Sequence, residues 1–339
     1  MTDSARREFL KSTAAGVALA GFGDYVLAGQ EDTADGLPKR PLGKTGVKVS
    51  IICLGGWHIG AIAEDDAIAI MHEAIDEGLT FFDNAWDYHD GGSEQVMGKA
   101  LATEGRRDKV FLMTKNCARD RQGSMKHLED SLRRLRTDHI DLWQFHEIVY
   151  DNDPDWVFEK GGLAAALEAK KQGKIRFIGF TGHKHPDIHL KMIDKPFAWD
   201  TAQMPINIMD AHYRSFQKRV VPVCNEKGIG VLGMKSFAGG SPRGRLPDKA
   251  GLKAEDCRRY ALSMPISSLV CGIMSRDDLH QDLGIARNFK PMPKDEMQKL
   301  LAQTQAEGAD GRHELFKTTQ MFDGPYHRKQ HGFEVEKTG

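Results

Sequence analysis

The sequence predicts a (β/α)8 barrel with an N-terminal β-hairpin and a C-terminal tail of helix and irregular chain. Three observations carry that prediction. Eight β-like runs alternate with helix-like stretches from Ser50 onward. Together they occupy roughly 240 residues, close to the usual size of such a barrel, about 250. A doubly wound sheet needs fewer strands and usually a glycine-rich first turn, which is missing here. The segment "GIGVLG", residues 228–233, has GxGxxG spacing, but it enters a strand instead of leaving one and is read as chance.

The elements follow in order. Arg6 and Arg7 are followed by Glu8, Phe9, Leu10 and Lys11, then a modestly apolar run from Ala14 to Phe22 and the small-residue site Val26-Leu27-Ala28. Residues 1–28 therefore resemble a twin-arginine signal peptide, with a frayed amphipathic N-terminus as the other reading. The apolar run falls short of the 20 or so residues a bilayer span needs, so no stable span is expected after cleavage. Residues 29–39 read as a polar linker. "RPLGKTGVKVS" reads as a hairpin turning at Lys44-Thr45-Gly46. The barrel is placed at residues 40–290.

Its strands are "SIICLGG", "LTFFDNA", "VFLMTKN", "IDLWQFHE", "IRFIGFTG", "TAQMPIN", "IGVLGMKS" and "SSLVCGIM". The first helix puts Ile68, Met71 and Ile75 on one face, with Gly78 just past its end. The third carries Leu128, Leu132 and Leu135 on one face, with Ser124 as its expected N-cap. "GGLAAALEAKKQGK" ends at Gly173, and "SRDDLHQDLGIARNF" opens with Ser275 and Asp278 at capping-box spacing. Residues 291–339 form the tail, with one helix in "KDEMQKLLAQTQAEG" and an aromatic, histidine-bearing stretch expected to fold over the barrel mouth or simply to pack there.

Bulk composition narrows the function. With 47 basic and 48 acidic side chains and no basic stripe, nucleic acid is not an expected partner. At 40% hydrophobic residues the chain can build a full core. Five cysteines are odd in number and far apart, without CxxC or zinc spacing, so neither a disulfide framework nor a metal site is assigned. His183 and His185 in "GHKH" could take a metal, but a positively charged loop accounts for them.

Barrel enzymes hold their chemistry at the C-terminal ends of the strands. There strand two ends in Asp83, with Tyr88 five residues on; strand three ends in Lys115 and strand four in His146. Each alone suits a structural role. Together on successive strands they form a set with one chemical use. Tyr88 is the expected general acid/base. Lys115 is expected to lower the tyrosine pKa, ordinarily about 10. Asp83 holds Lys115, and His146 donates to the substrate oxygen. The missing hydride is one a nicotinamide supplies.

With "DNAWDYHDGGSE", "MTKN", "WQFHE" and "GKTGVKVSIICLGG" in this order, the chain resembles the aldo-keto reductase family over roughly residues 40–290. The resemblance implies an NAD(P)-dependent oxidoreductase acting on an aldehyde, a ketone or the matching alcohol. It implies a nucleotide held along Gly55, Gly56, Thr181, Gln203, Met234, Lys235, Ser236, Phe237, Gly272, Met274, Asp278 and Asp282. Gln203 stands where the family holds the nicotinamide amide, beside Asn207. Thr181 and Gly182 replace the family's serine and asparagine. Phe237 is the candidate stacking aromatic. Around a 2′-phosphate the family commonly has Lys-Ser and an Arg; here Gly272, Ile273 and Asp278 occupy those places. Arg276, Arg243 or Arg245 could compensate, so the choice between NAD and NADP stays open. Trp57, Trp86 and His89 are the expected substrate-pocket residues, with simple packing of the barrel top as the alternative.

An exported nucleotide enzyme implies folding and cofactor loading in the cytoplasm, passage through the twin-arginine translocase, and a periplasmic or other extracytoplasmic location. The alternative is an exported barrel that binds nucleotide or a small ligand without turnover.

Overall fold

A computed structural model describes residues 30–31, 36–238, 246, 250–320 and 324–330. The expected signal segment, Arg243 and Arg245 lie outside the described residues. Glu31 and Lys39, both in the expected linker, exchange backbone hydrogen bonds of 2.9 and 2.8 Å. That part of the linker is paired chain.

Strands β1 (Lys39–Pro41) and β2 (Lys48–Ser50) form the antiparallel hairpin. Eight parallel strands follow: β3 (Ile52–Gly55), β4 (Phe81–Asp83), β5 (Phe111–Asn116), β6 (Ile140–Phe145), β7 (Ile175–Thr181), β8 (Thr201–Pro205), β9 (Gly230–Met234) and β10 (Ser268–Cys271). They close into a barrel in chain order, with β10 pairing both β9 and β3. All eight expected runs became strands. The run at 228–233 is a left-handed helix end at Gly228 followed by β9, which agrees with its reading as chance.

The barrel helices are α1 (Glu64–Asp76), α2 (Gly92–Leu101), α3 (Arg121–Leu135), α4 (Gly162–Lys171), α5 (Pro186–Ile193), α6 (Val221–Lys227), α7 (Ala254–Leu262) and α8 (Arg276–Arg287). In α1 the buried face is Ala67, Ile70, Met71, Ala74 and Ile75, and Ile68 lies at its edge. In α3 the expected face of Leu128, Leu132 and Leu135 is buried, but the N-cap is Asp120, whose carboxylate accepts from Gly123 N at 2.8 Å. Ser124 is one turn inside the helix, where its hydroxyl accepts from Asn116 Nδ2 at 2.8 Å. The aspartate satisfies the orphan amides first. His185 caps α5, its ring accepting from Asp187 N at 3.1 Å.

The two barrel ends differ. Leu42 and Val49 of the hairpin pack on the inward-facing Cys53, Phe81, Met113, Leu142 and Leu232. Lys44 N bonds Gly228 O at 2.9 Å, which ties the hairpin to the approach to β9. The N-terminal mouth is thus plugged, and polar chemistry is left to the other mouth. There the tail docks, after α9 (Lys294–Gly308). Buried Phe316 lies edge-on to His183, with ring centroids 5.7 Å apart. Lys317 donates to Asp210 at 2.6 Å and to Glu314 at 2.8 Å, all fully buried. Glu314 also accepts from Asn207 Nδ2 at 2.9 Å.

Leu42→Ala should cost about 2–5 kcal/mol, as expected of a buried leucine, without disturbing the open mouth. Thermal unfolding measures the first effect; an unchanged near-ultraviolet dichroism spectrum checks the second.

Candidate active site

The open mouth gathers the four expected residues. Asp83 is the last residue of β4, Lys115 lies in β5 and His146 directly follows β6. Tyr88 sits in the turn after β4. That turn holds three successive left-handed residues: His89 at φ 53°, Asp90 at φ 55° and Gly91 at φ 89°. Strain in two non-glycine residues is kept where the surroundings over-determine it. Gly91 holds a φ that residues with side chains rarely adopt, so glycine closes the turn.

Lys115 is the hub. Its ammonium donates to the Asp83 carboxylate, to Asn84 O at 2.6 Å and to the Tyr88 hydroxyl at 3.3 Å. Lys115 is 1% exposed and Asp83 2% exposed, so the pair is held out of water. Burial pushes the Asp83 carboxyl up, and Lys115 offsets only part of that.

The tyrosine departs from expectation. Burial raises the Tyr88 pKa well above its ordinary value, and Asp83, Asp87 and Glu147 add to the rise. Burial and these carboxylates outweigh the pull of the Lys115 ammonium, so the net direction is up. Tyr88 therefore rests as a phenol, ready to give a proton.

His146 has a partner the sequence reading missed. Its Nδ1 lies 2.9 Å from Asp87 Oδ1 and 3.6 Å from Cys117 Sγ. Burial lowers the His146 pKa, and Asp87 pulls it back up in part. A carboxylate at Nδ1 favours the ring proton there, which leaves Nε2 of the neutral ring as an acceptor. The signals were present: Asp87 immediately precedes Tyr88, and Cys117 follows Lys115 by two positions. Nothing in the linear chain shows that both reach the histidine.

Trp57 and His89 join the site. Trp57 is 49% exposed, edge-on to Tyr88 at 5.4 Å and stacked on His89 at 4.4 Å. Trp86 does not. Its ring stacks on His127 at 3.6 Å and its Nε1 donates to Asp130 at 3.3 Å, against α3. A flat aromatic with a helix face beside it packs there.

The other side of the mouth carries the expected nucleotide residues. Gln203, midway along β8, is buried and its Oε1 has no hydrogen-bond partner, while its Nε2 meets only Met234 Sδ at 3.6 Å. That orphaned amide is complementary to another amide, so a nicotinamide carboxamide fits it. Thr181 is buried at the end of β7. Gly55 and Gly56 allow close approach: a side chain at Gly56 would meet Asp83 O at 2.5 Å, and one at Gly55 would meet Cys271 O at 2.7 Å. A side chain at Gly272 would meet the His58 ring at 2.5 Å. Lys235 holds a left-handed φ of 56°.

Arg258, not singled out from sequence, organises this side. It grips Asp282 with two bonds of 2.9 Å and donates to Ser236 Oγ at 2.6 Å. Its guanidinium lies 4.2 Å from the Phe237 ring centroid, so Phe237 stacks on arginine. Asp278 completes the cap of α8, accepting from Met274 N at 3.0 Å while its own N–H bonds Ser275 Oγ at 3.1 Å. Met274 is exposed. Arg276 turns away to Glu73, 3.3 Å distant.

The sequence model of the aldo/keto reductase family matches residues 51–263. The chain belongs to the aldo/keto reductase family. The uncharacterized oxidoreductase YrpG of Bacillus subtilis is 33% identical over 238 residues, covering 62% of this chain and 70% of that protein. L-galactose dehydrogenase of Arabidopsis thaliana is 28% identical over 305 residues, covering 79% of this chain and 93% of its own. Among solved structures, the holo form of aldo-keto reductase AKR11C1 from Bacillus halodurans superposes with a TM-score of 0.64 at 25% identity, covering 78% of this chain and 95% of that one. This aldo/keto reductase is thus an oxidoreductase built on the closed barrel of its relatives.

Lys115→Met should strand Asp83 in a buried site and cost about 3–5 kcal/mol. Adding Asp83→Asn should recover part of that loss, because the uncompensated charge is gone. Thermal unfolding of the single and double variants decides; equal losses would mean that the charge pairing does not matter.

Proposed function

We propose that the protein interconverts a carbonyl and the matching alcohol with NAD or NADP, and that Tyr88 is its general acid/base. The observation that carries this is the single ammonium of Lys115 shared between Asp83 and the Tyr88 hydroxyl. The nicotinamide, when bound, supplies or accepts the hydride. Gln203 would hold its carboxamide. The backbone at Gly55, Gly56 and Gly272 and the side chains of Thr181, Met234, Lys235 and Ser236 would line its course. Asp278 stands where the family commonly has an arginine for a 2′-phosphate, and its carboxylate supports NAD, whereas Asp282 is charge-paired with Arg258.

In the carbonyl direction Tyr88 gives its proton to the substrate oxygen. Lys115, fixed by Asp83, stabilises the phenolate that remains. His146 keeps its Nδ1 proton on Asp87 and accepts from an alcohol hydroxyl through Nε2; donating to a carbonyl oxygen needs the doubly protonated ring. Trp57 and His89 form the apolar wall for a small carbonyl or alcohol substrate.

Export in the folded state belongs to the same proposal. Arg6 and Arg7 with their flanking residues support the twin-arginine route to the periplasm or an equivalent space. All five cysteines are buried free thiols, so folding needs no oxidising compartment. No helix among the described residues is long and apolar enough to cross a membrane.

Tyr88→Phe should lower turnover by about 10²–10⁴-fold, the usual range for a lost acid/base group, while nucleotide binding, read by fluorescence titration, persists. Full turnover in that variant would overturn the mechanism. With the wild type, carbonyl reduction should hold its rate past the ordinary tyrosine value of about 10, because the phenol pKa is raised; a pH–rate profile that falls well below this contradicts the assignment. Replacing Arg6 and Arg7 with lysine should retain the protein in the cytoplasm of a bacterial host, as read by fractionation. Native mass spectrometry of the exported protein should show a bound nucleotide whose mass separates NAD from NADP.

A further inference from the structure

Asp87, Cys117 and His146 follow three successive strands, β4, β5 and β6. One oxygen, one sulfur and one nitrogen from them all lie within 4.8 Å of one another. Oxygen, thiolate and imidazole together are the donor set of a borderline-soft divalent metal.

The spacing fits such an ion. Zinc bonds of about 2.3 Å to sulfur and 2.0–2.1 Å to nitrogen and oxygen, at tetrahedral angles, set a sulfur–nitrogen edge of about 3.5 Å and a nitrogen–oxygen edge of about 3.3 Å. Cys117 Sγ stands 3.6 Å from His146 Nδ1. Asp87 Oδ1 stands 2.9 Å from the same nitrogen, and that edge needs to open by only a few tenths of an ångström.

The scaffold beneath is rigid. Buried Arg119 donates to Cys117 O at 2.9 Å, His146 O at 2.7 Å and Glu147 O at 3.0 Å, and is itself held by Asp153 at 3.0 Å. One guanidinium ties together the two backbone segments that carry the sulfur and the nitrogen. The charges also balance: a carboxylate and a thiolate neutralise a dication.

We propose that Asp87, Cys117 and His146 form a binding site for a thiophilic divalent metal ion of the zinc type, with a fourth position open to water or substrate. A metal ion on Nδ1 would replace the proton that the hydride chemistry proposed above keeps between His146 and Asp87, so the ion and that protonated pair are alternative states of one histidine.

The test uses the full chain, stripped with chelator and dialysed against Zn²⁺, with bound metal measured elementally. About one zinc per chain is expected. Cys117→Ser and Asp87→Asn should each weaken binding about tenfold or more, and Tyr88→Phe should keep it. Co²⁺ should show a thiolate-to-cobalt charge-transfer band in the wild type, a readout that needs no variant to fold. With 14 histidines in the chain, adventitious binding is the rival outcome. Zinc retained in both variants, cobalt bound without a charge-transfer band, or no zinc bound at all would each overturn the site. Turnover of Tyr88→Phe reports on the hydride mechanism separately.

Discussion

A lysine and an aspartate buried side by side set the terms for this molecule. Each ion taken alone out of water costs several kcal/mol. Lys115 and Asp83 tolerate burial because each answers the other, and because Asn84 O and the Tyr88 hydroxyl take the remaining ammonium donors. The pairing also has an electrostatic consequence. The ammonium is shared with Asp83, and burial outweighs its pull on the tyrosine toward the phenolate. Burial, with the nearby carboxylates adding to it, keeps Tyr88 a phenol.

That arrangement needs a barrel with two unlike ends. The hairpin seals one mouth with Leu42 and Val49 against the inner apolar layer. The other mouth keeps the polar strand ends and receives the tail. The strained turn at His89, Asp90 and Gly91 swings Tyr88 back over Lys115. The tail is fastened by the buried Lys317 between Asp210 and Glu314, a pairing with the same logic as the one at the hub.

The mouth is divided between two arginine clamps. Arg119 holds the backbones that present Cys117 and His146. Arg258 holds Asp282, Ser236 and the ring of Phe237 on the β9 and α8 side. A planar guanidinium with five donors suits such work, since it can bridge several oxygens in one rigid plane. Both arginines are themselves buried and hold the walls of the mouth in place.

Much of this was legible in the chain. Short β-like apolar runs separated by period-3.6 stretches specify strand, helix and their alternation, and eight alternations leave few topologies besides a closed barrel. Polar residues at the ends of successive strands must then share one rim, which is why Asp83, Lys115 and His146 could be named together. What failed was local competition and distant partnership. Ser124 and Asp120 both suit an N-cap, and only the position where the helix begins chooses between them. Trp86 and Trp57 are equivalent as letters; one found a helix face and the other the mouth. Asp87, Cys117, Arg119 and Arg258 act through neighbours 22 to 59 residues away only where the closed barrel brings those neighbours within hydrogen-bonding reach. The sequence by itself determined the barrel and the four residues of the site, because periodicity and strand-end position are local properties. Only the tertiary structure decided their charge states and partners, because burial and electrostatic pairing depend on distance through space.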